Sequence, residues 1–359
     1  MNMRKVIIRP FTYLKSSMEM ECNRIIALLA LQVLLLFMSK SFMAVVVIFS
    51  AVAASVVSTI ICNRTKCFTS GNHYSYSVSI VQGLLVGMLL PETYPPLTVF
   101  VVTFCTMLIG KYIYKNFYYN FMNPSVFALA VLYIIGAGVF ASSVVSLDLL
   151  SSRNPSQILI ESGFFPTVSF DTTVTDFLNK TVFSVFKFSI PEGYISLLWD
   201  THSAIPAFRF NFLTLISSVV LFMFDEIKII IPAFFVIVYL ALVRMMAPLF
   251  FNGIPMQGDI LLAVFTSGTL FTAVFVINWY GSIPETIGGK IVFGVIAGIL
   301  AFFICGCGDS PIGMVFTVFV ADFIALFIQH FEMKNDFVHA SRLADSLVRS
   351  KESGVLEVK

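Results

Sequence analysis

About ten apolar runs, each close to the ~20 residues needed to cross a bilayer as a helix, dominate this chain. They fall at 23–38, 42–62, 76–91, 96–114, 124–141, 211–224, 228–246, 258–277, 290–305 and 311–331. Inside lipid the backbone must satisfy its own hydrogen bonds, so runs of this length fold as helices. Composition leads to the same place. Hydrophobic residues make up 58% of the chain and charged residues 12%, where a soluble protein carries about 25%, and mean hydropathy is +0.92. The sequence therefore predicts an all-α integral membrane protein and argues against a soluble enzyme. The first run, Ile25–Phe37, continues into further apolar sequence with no small-residue cleavage site, and reads as a retained span.

Net charge is only +2, which offers no basic surface for nucleic acid, so the placement of the charges matters more than their sum. With the N-terminus inside, the outer segments hold Lys40, Arg153, Lys180, Lys187, Arg209 and Arg244, while the other 16 of the 22 Lys and Arg lie inside. That bias obeys the positive-inside rule and places both termini in the cytoplasm.

One long polar interruption divides the spans. Residues 1–141 form a first membrane half, 142–210 an external loop, 211–331 a second half and 332–359 a cytoplasmic tail. The loop holds Pro155, Pro166, Pro191 and Pro206 among Ser/Thr clusters, the composition of an irregular insertion. The tail, with Phe337, Leu343 and Leu347, reads as a short amphipathic helix. Pro91-Glu92-Thr93 follows span three and Pro284-Glu285-Thr286 follows span eight, one facing out and the other in. Asn123-Pro124 and Ser310-Pro311 then echo one another. This is the pattern of two inverted halves of about five helices each, with sites expected at their interface near mid-membrane. Gly83, Gly87, Gly268, Gly294 and Gly298 mark places where helices break or pack closely.

Asp322 stands alone in the run from Pro311 to Phe331. A carboxylate there costs at least ~2.5 kcal/mol, so it marks an ion or proton pathway. Three polar constellations accompany it. Lys111, Asn116, Asn120 and Asn123 surround a turn between spans four and five, supplying donors that suit a flavin ring or an anion; Asn123-Pro124 is equally a helix cap. Ser267, Gly268 and Thr269 interrupt span eight, either lining a cofactor cavity or bonding back to helix carbonyls. The third is Ser169 to Asp176 in the external loop, which by composition reads as a turn or N-cap. Cys22, Cys62, Cys67, Cys105, Cys305 and Cys307 lack zinc-ligand spacing and read as small packing residues, and His73, His202, His330 and His339 are scattered, so no metal site is expected within the chain alone; an intramembrane cluster shared with a partner is the alternative for the cysteines.

Taken together, the stretches Gly83–Pro91, Gly110–Pro124, Ser267–Phe271, Lys290–Gly294 and Gly308–Phe316 resemble the family of the Rnf-complex D subunit and the sodium-pumping quinone reductase B subunit. The likeness covers nearly the whole chain, and the short N-terminal segment is closer to the Rnf member. It implies a subunit of an inner-membrane electron-transfer complex that moves Na⁺ or H⁺, alongside flavin- and iron–sulfur-carrying subunits. It also implies FMN, joined through its phosphate to a threonine by a flavin transferase, and a second, non-covalent flavin such as riboflavin. No nicotinamide-binding or iron–sulfur motif occurs in the chain, so catalysis belongs to the assembly.

The resemblance places the FMN threonine at Thr175, with Thr172 and Thr173 as lesser candidates. Thr173-Val174 stands where the family has Gly-Ala, and Asp176-Phe177 where it has Pro-Leu. Ser203–Arg209 lacks the family's acid, Asn278–Ser282 replaces a Thr-Asp-Pro, and Asp322 replaces an Asn. The last change reads as a carboxylate that has moved. Two other functions compete: a channel of the urea-transporter type, which needs no flavin, and a scaffold subunit without its own flavin.

Overall fold

The structure, a computed structural model, describes residues 17–65, 75–113, 122–136, 167–224, 227–250, 256, 258–279, 281–305 and 312–352. Asn116, Asn120, Cys67, Cys307, His73 and the Ser310-Pro311 pair lie outside these residues. Among the described residues the chain is all-helical, without strands. The first membrane region contains α1 (Met18–Met38), α2 (Phe42–Arg64), α3 (Tyr76–Met88), α4 (Pro96–Ile113) and α5 (Pro124–Ile135). Between the two membrane regions lie α6 (Asp171–Thr181) and α7 (Tyr194–Trp199), with 3₁₀ turns at Phe183–Phe186 and Pro206–Phe208. The second region begins with α8 (Asn211–Met223), α9 (Ile230–Phe250), α10 (Ile260–Thr266) and the short α11 (Thr269–Phe271). A π-helical segment, Thr272–Val276, continues α11, and α12 (Ile287–Ile304) and α13 (Gly313–Glu352) complete the chain.

Met18–Met38, Phe42–Arg64, Ile287–Ile304 and Gly313–Asn335 are long and apolar enough to cross a membrane. Tyr76–Met88, Pro96–Lys111, Pro124–Ile135, Asn211–Met223 and Ile230–Met246 are apolar but shorter. At ~1.5 Å per residue, the 13 residues of α3 cover only about 20 Å. These helices are apolar on every side: α1 buries Leu29 and Leu36 against its neighbours and exposes Leu31, Leu34 and Met38. A helix greasy all round is at home in lipid rather than water.

Glycines set how closely the helices approach. A Cβ at Gly83 would stand 2.5 Å from Val52 Cα, and one at Gly87 2.5 Å from Ile48 Cα, so α3 lies directly on the backbone of α2. Gly294 and Gly298 bring α12 onto α9 in the same way, 2.9 Å from Ile231 O and 2.8 Å from Phe235 O. Around these contacts α2 packs on α3 and α4, α4 on α5, and α1 on α3. In the second region α9 packs on α10 and α12, α12 on α13, and α8 on α11. The regions meet where α1 touches α8 and α5 touches α13.

One sequence expectation is refined here and another changes. The run Ser169–Asp176, read as a turn or an N-cap, is a turn at Ser169–Phe170 that leads into α6, opened by Asp171. The segment after Glu332 is no separate amphipathic helix; α13 runs unbroken to Glu352. Nothing between Phe331 and Glu352 is a glycine or proline, so no residue there stops the helix.

Candidate functional site

Asp322 is completely buried on α13. Its Oδ2 accepts the backbone N–H of Asn123 at 3.0 Å, and the Ser282 hydroxyl lies beside it. Its Oδ1 has no hydrogen-bond partner among the described residues. Asn123 is itself a junction. Its Oδ1 accepts from Ser125 N at 3.0 Å, capping α5 ahead of Pro124, and its Nδ2 donates to Val276 O at 3.4 Å. The Ser125 hydroxyl reaches on to Gln82 O in α3 at 3.2 Å. One polar network therefore joins α3, α5, the π-helical segment and α13, all buried.

That network forms because helices end or loosen at this depth. α5 begins at Asn123, and the π-helical turn ends at Val276 with its carbonyl available to the Asn123 amide. Gln82 Oε1 and Thr272 Oγ1, each on an element of the same network, are also buried without partners among the described residues. A carboxylate in an apolar interior, holding one N–H and one unengaged oxygen, is stable only with a proton or a cation to neutralise it. Binding a proton or a small cation is the chemistry open to such a group.

Lys111 occupies a different place. Its Nζ donates to Thr59 Oγ1 at 2.6 Å, Ser58 Oγ at 3.0 Å, Ser55 O at 3.3 Å and Ser79 Oγ at 3.5 Å. These oxygens belong to α2 and α3, so Lys111 and Asn123, adjacent in the sequence reading, face separate networks. Ser267, Gly268 and Thr269 do break the helix. Gly268 takes a left-handed φ of 76°, and the Ser267 and Thr269 hydroxyls bond to each other. The space in front of Gly268 is filled, however, since a Cβ there would stand 2.3 Å from the Phe208 ring, and Ser267 and Thr269 are fully buried. This arrangement does not fit a second flavin ring at these three residues.

Thr175 is buried on α6, and its hydroxyl donates to Asp171 Oδ1 at 3.1 Å. Asp171 also accepts from Gly193 N at 3.0 Å, Ser196 N at 2.7 Å and the Ser196 hydroxyl, tying α6 to α7. A phosphodiester joining FMN to Thr175 would use up the hydroxyl that donates to Asp171 and set a negative charge against that carboxylate, with Asp176 one residue further on. The Thr175 site as arranged therefore does not fit covalent FMN. Thr172 and Thr173, by contrast, are exposed in the first turn of α6. Beside Thr175 lies a cavity of about 190 Å³ whose walls include Leu178, Phe183, Tyr194, Leu261 and Phe265.

Sequence reasoning did not single out Ser58, Thr59, Ser79, Gln82 or Ser282. Gln82 was open to detection by the rule that exposed Asp322, a polar side chain inside an apolar run. The serines and threonines were not, since most of their kind bond to their own helix. No group of three or more His, Cys, Asp or Glu able to hold a metal occurs among the described residues.

Apolar helices enclosing a partly engaged carboxylate define the class: an integral membrane protein with an ionisable centre in its interior. Its family follows from comparison. The chain belongs to the NQR2, RnfD, RnfE family, whose model matches residues 5–338. It is 24% identical over 297 residues to the D subunit of the ion-translocating oxidoreductase complex of Shewanella sediminis, covering 73% of this chain and 77% of that protein. The D subunit of the complex of the same name from Sodalis glossinidius is 23% identical over 274 residues, covering 73% of this chain and 78% of that one. That of Actinobacillus succinogenes is 24% identical over 280 residues, covering 68% and 72%.

Proposed function

We propose that this chain is the membrane subunit of an ion-translocating oxidoreductase complex, in which flavin-mediated electron transfer drives Na⁺ or H⁺ across the inner membrane. The observation that carries the reading is Asp322, a buried carboxylate with one oxygen unengaged where elements of both membrane regions meet. The names of the relatives support it. Translocase activity belongs to the assembly, with electrons arriving from subunits that carry flavin and iron–sulfur groups.

Two inverted halves, residues 1–141 and 211–331, form the frame of this proposal, with 142–210 external and 332–359 cytoplasmic. The packing supports equivalence of the halves. α2 serves α3 and α4 as α9 serves α10 and α12; α4–α5 matches α12–α13, and α1–α3 matches α8–α11. The helices that pack between the halves, α1 with α8 and α5 with α13, are equivalent pairs, an arrangement that fits a pseudo-two-fold axis running between them. An odd number of spans in each half turns the second half over, leaving both termini on the cytoplasmic side.

Flavin enters at the level of the complex. On this chain Thr172 and Thr173 offer accessible hydroxyls to a flavin transferase, and Thr175 does not unless Asp171 lets go. Peptide mass mapping across residues 167–187 reads out any attached FMN directly.

The test of the ion path is Asp322→Asn in the whole complex, reconstituted in vesicles. Redox-driven ion uptake falls to the level of vesicles without protein, while subunit assembly and electron transfer to a soluble acceptor persist. Uptake equal to that of the unmodified complex would take Asp322 out of the path.

A further inference from the structure

The oxygens around Lys111 form a shell that belongs to α2 and α3, while the cation within it comes from α4. Ser55 O, Ser58 Oγ and Thr59 Oγ1 line one wall and Ser79 Oγ the other, at 2.6–3.5 Å from Nζ. The two walls are fixed to each other without the lysine. Thr59 and Ser79 share a hydrogen bond, and the α2–α3 backbones are in contact at Gly83 and Gly87. Ser58 and Thr59 further bond to the Ser55 carbonyl, at 2.7 and 3.0 Å. The shell is therefore preorganised, and fully buried.

Its stoichiometry fits a sphere better than an ammonium. An ammonium group carries three N–H donors, yet four oxygens lie within 3.5 Å of Nζ. Ser55 keeps a further buried hydroxyl with no hydrogen-bond partner among the described residues. Hydroxyl and carbonyl oxygens are hard donors of the kind that hard cations take as ligands. A buried charge is also a poor means of holding helices together, since apolar side chains do so at no desolvation cost.

We propose that the Ser55–Ser58–Thr59–Ser79 shell is a monovalent-cation site whose resident ion is the tethered ammonium of Lys111, and that K⁺ or Na⁺ takes its place when that side chain is withdrawn. The lysine acts there as an internal competitor, keeping an alkali cation out of this half of the molecule. The site is separate from Asp322, so the proposal stands or falls independently of the ion path.

Lys111→Ala in the purified complex, assayed by thermal unfolding in KCl, NaCl and choline chloride of equal ionic strength, tests it. The variant gains a saturable rise in Tm of about 2 °C or more in one alkali salt over choline, as a ligand bound only by the folded state produces. The unmodified complex lacks that increment, and adding Thr59→Val to Lys111→Ala removes it. An alkali response identical in the variant and the unmodified complex, or one that persists with Thr59→Val, overturns the proposal. Where the variant is lost during purification in choline, recovery in KCl or NaCl supports the site, and loss in all three salts overturns it.

Discussion

Lys111 and Asp322 are both buried ionisable side chains, yet their surroundings are opposite. Lys111 is surrounded by more acceptors than it has protons to donate, on walls that hold together without it. Asp322 has one N–H on one oxygen, the Ser282 hydroxyl beside it, and no hydrogen-bond partner on the other oxygen among the described residues. The first charge is held in place; the second is left with unused capacity. A saturated group resists change of partner, because any alternative costs hydrogen bonds already made. Unused capacity in a dry interior is costly to maintain, and an exchangeable ligand is one of the explanations it calls for.

Four substitutions sharpen or break this contrast, taken by their effect on thermal stability of the complex. Gly83→Ala comes first, because its Cβ meets α2 backbone rather than a flexible side chain. Forcing α3 off α2 destabilises by about 2–3 kcal/mol and opens the Lys111 shell from below. A smaller loss, about 2 kcal/mol, is expected for Lys111→Ala in choline chloride, where hydroxyls lose a charged donor but keep one another. Thr175→Val costs about 1 kcal/mol by removing one donor from Asp171, and leaves the flavin content of the complex unchanged by absorbance. Asp322→Asn changes stability least, by no more than about 0.5 kcal/mol or in the stabilising direction, since the amide oxygen still accepts from Asn123 and a buried charge is gone. On the proposed ion path, the residue with the smallest expected effect on folding has the largest expected effect on transport. A steep loss of stability in Asp322→Asn would make it another structural charge and end the contrast.

Local features of the fold are legible in the sequence. The Asn123-Pro124 cap is readable because capping depends only on neighbours, and the glycines mark close helix contacts because nothing else permits them. Asp322 stands out against its apolar run. Its partner does not: Asn123 is 199 positions away, and only folding brings its N–H to the carboxylate. Sequence alone assigns Lys111 to the turn that follows it, since it shows the neighbour and hides the helix opposite. The true partners of Lys111 lie 32 to 56 positions earlier, in helices where serine and threonine usually signify little. At Thr175 a motif resemblance gives the position, and the Asp171 bond shows why the position alone does not make an acceptor.

The unbroken length of α13 has a mechanical consequence. Asp322 sits near its first residue, Gly313, and Glu352 closes it on the far side, roughly 45 Å along the axis at 1.5 Å per residue. With no glycine or proline between them, the helix is one continuous link between its C-terminal end and the carboxylate. A partner bound to the last turns of α13 would therefore hold the same helix that carries the ionisable group.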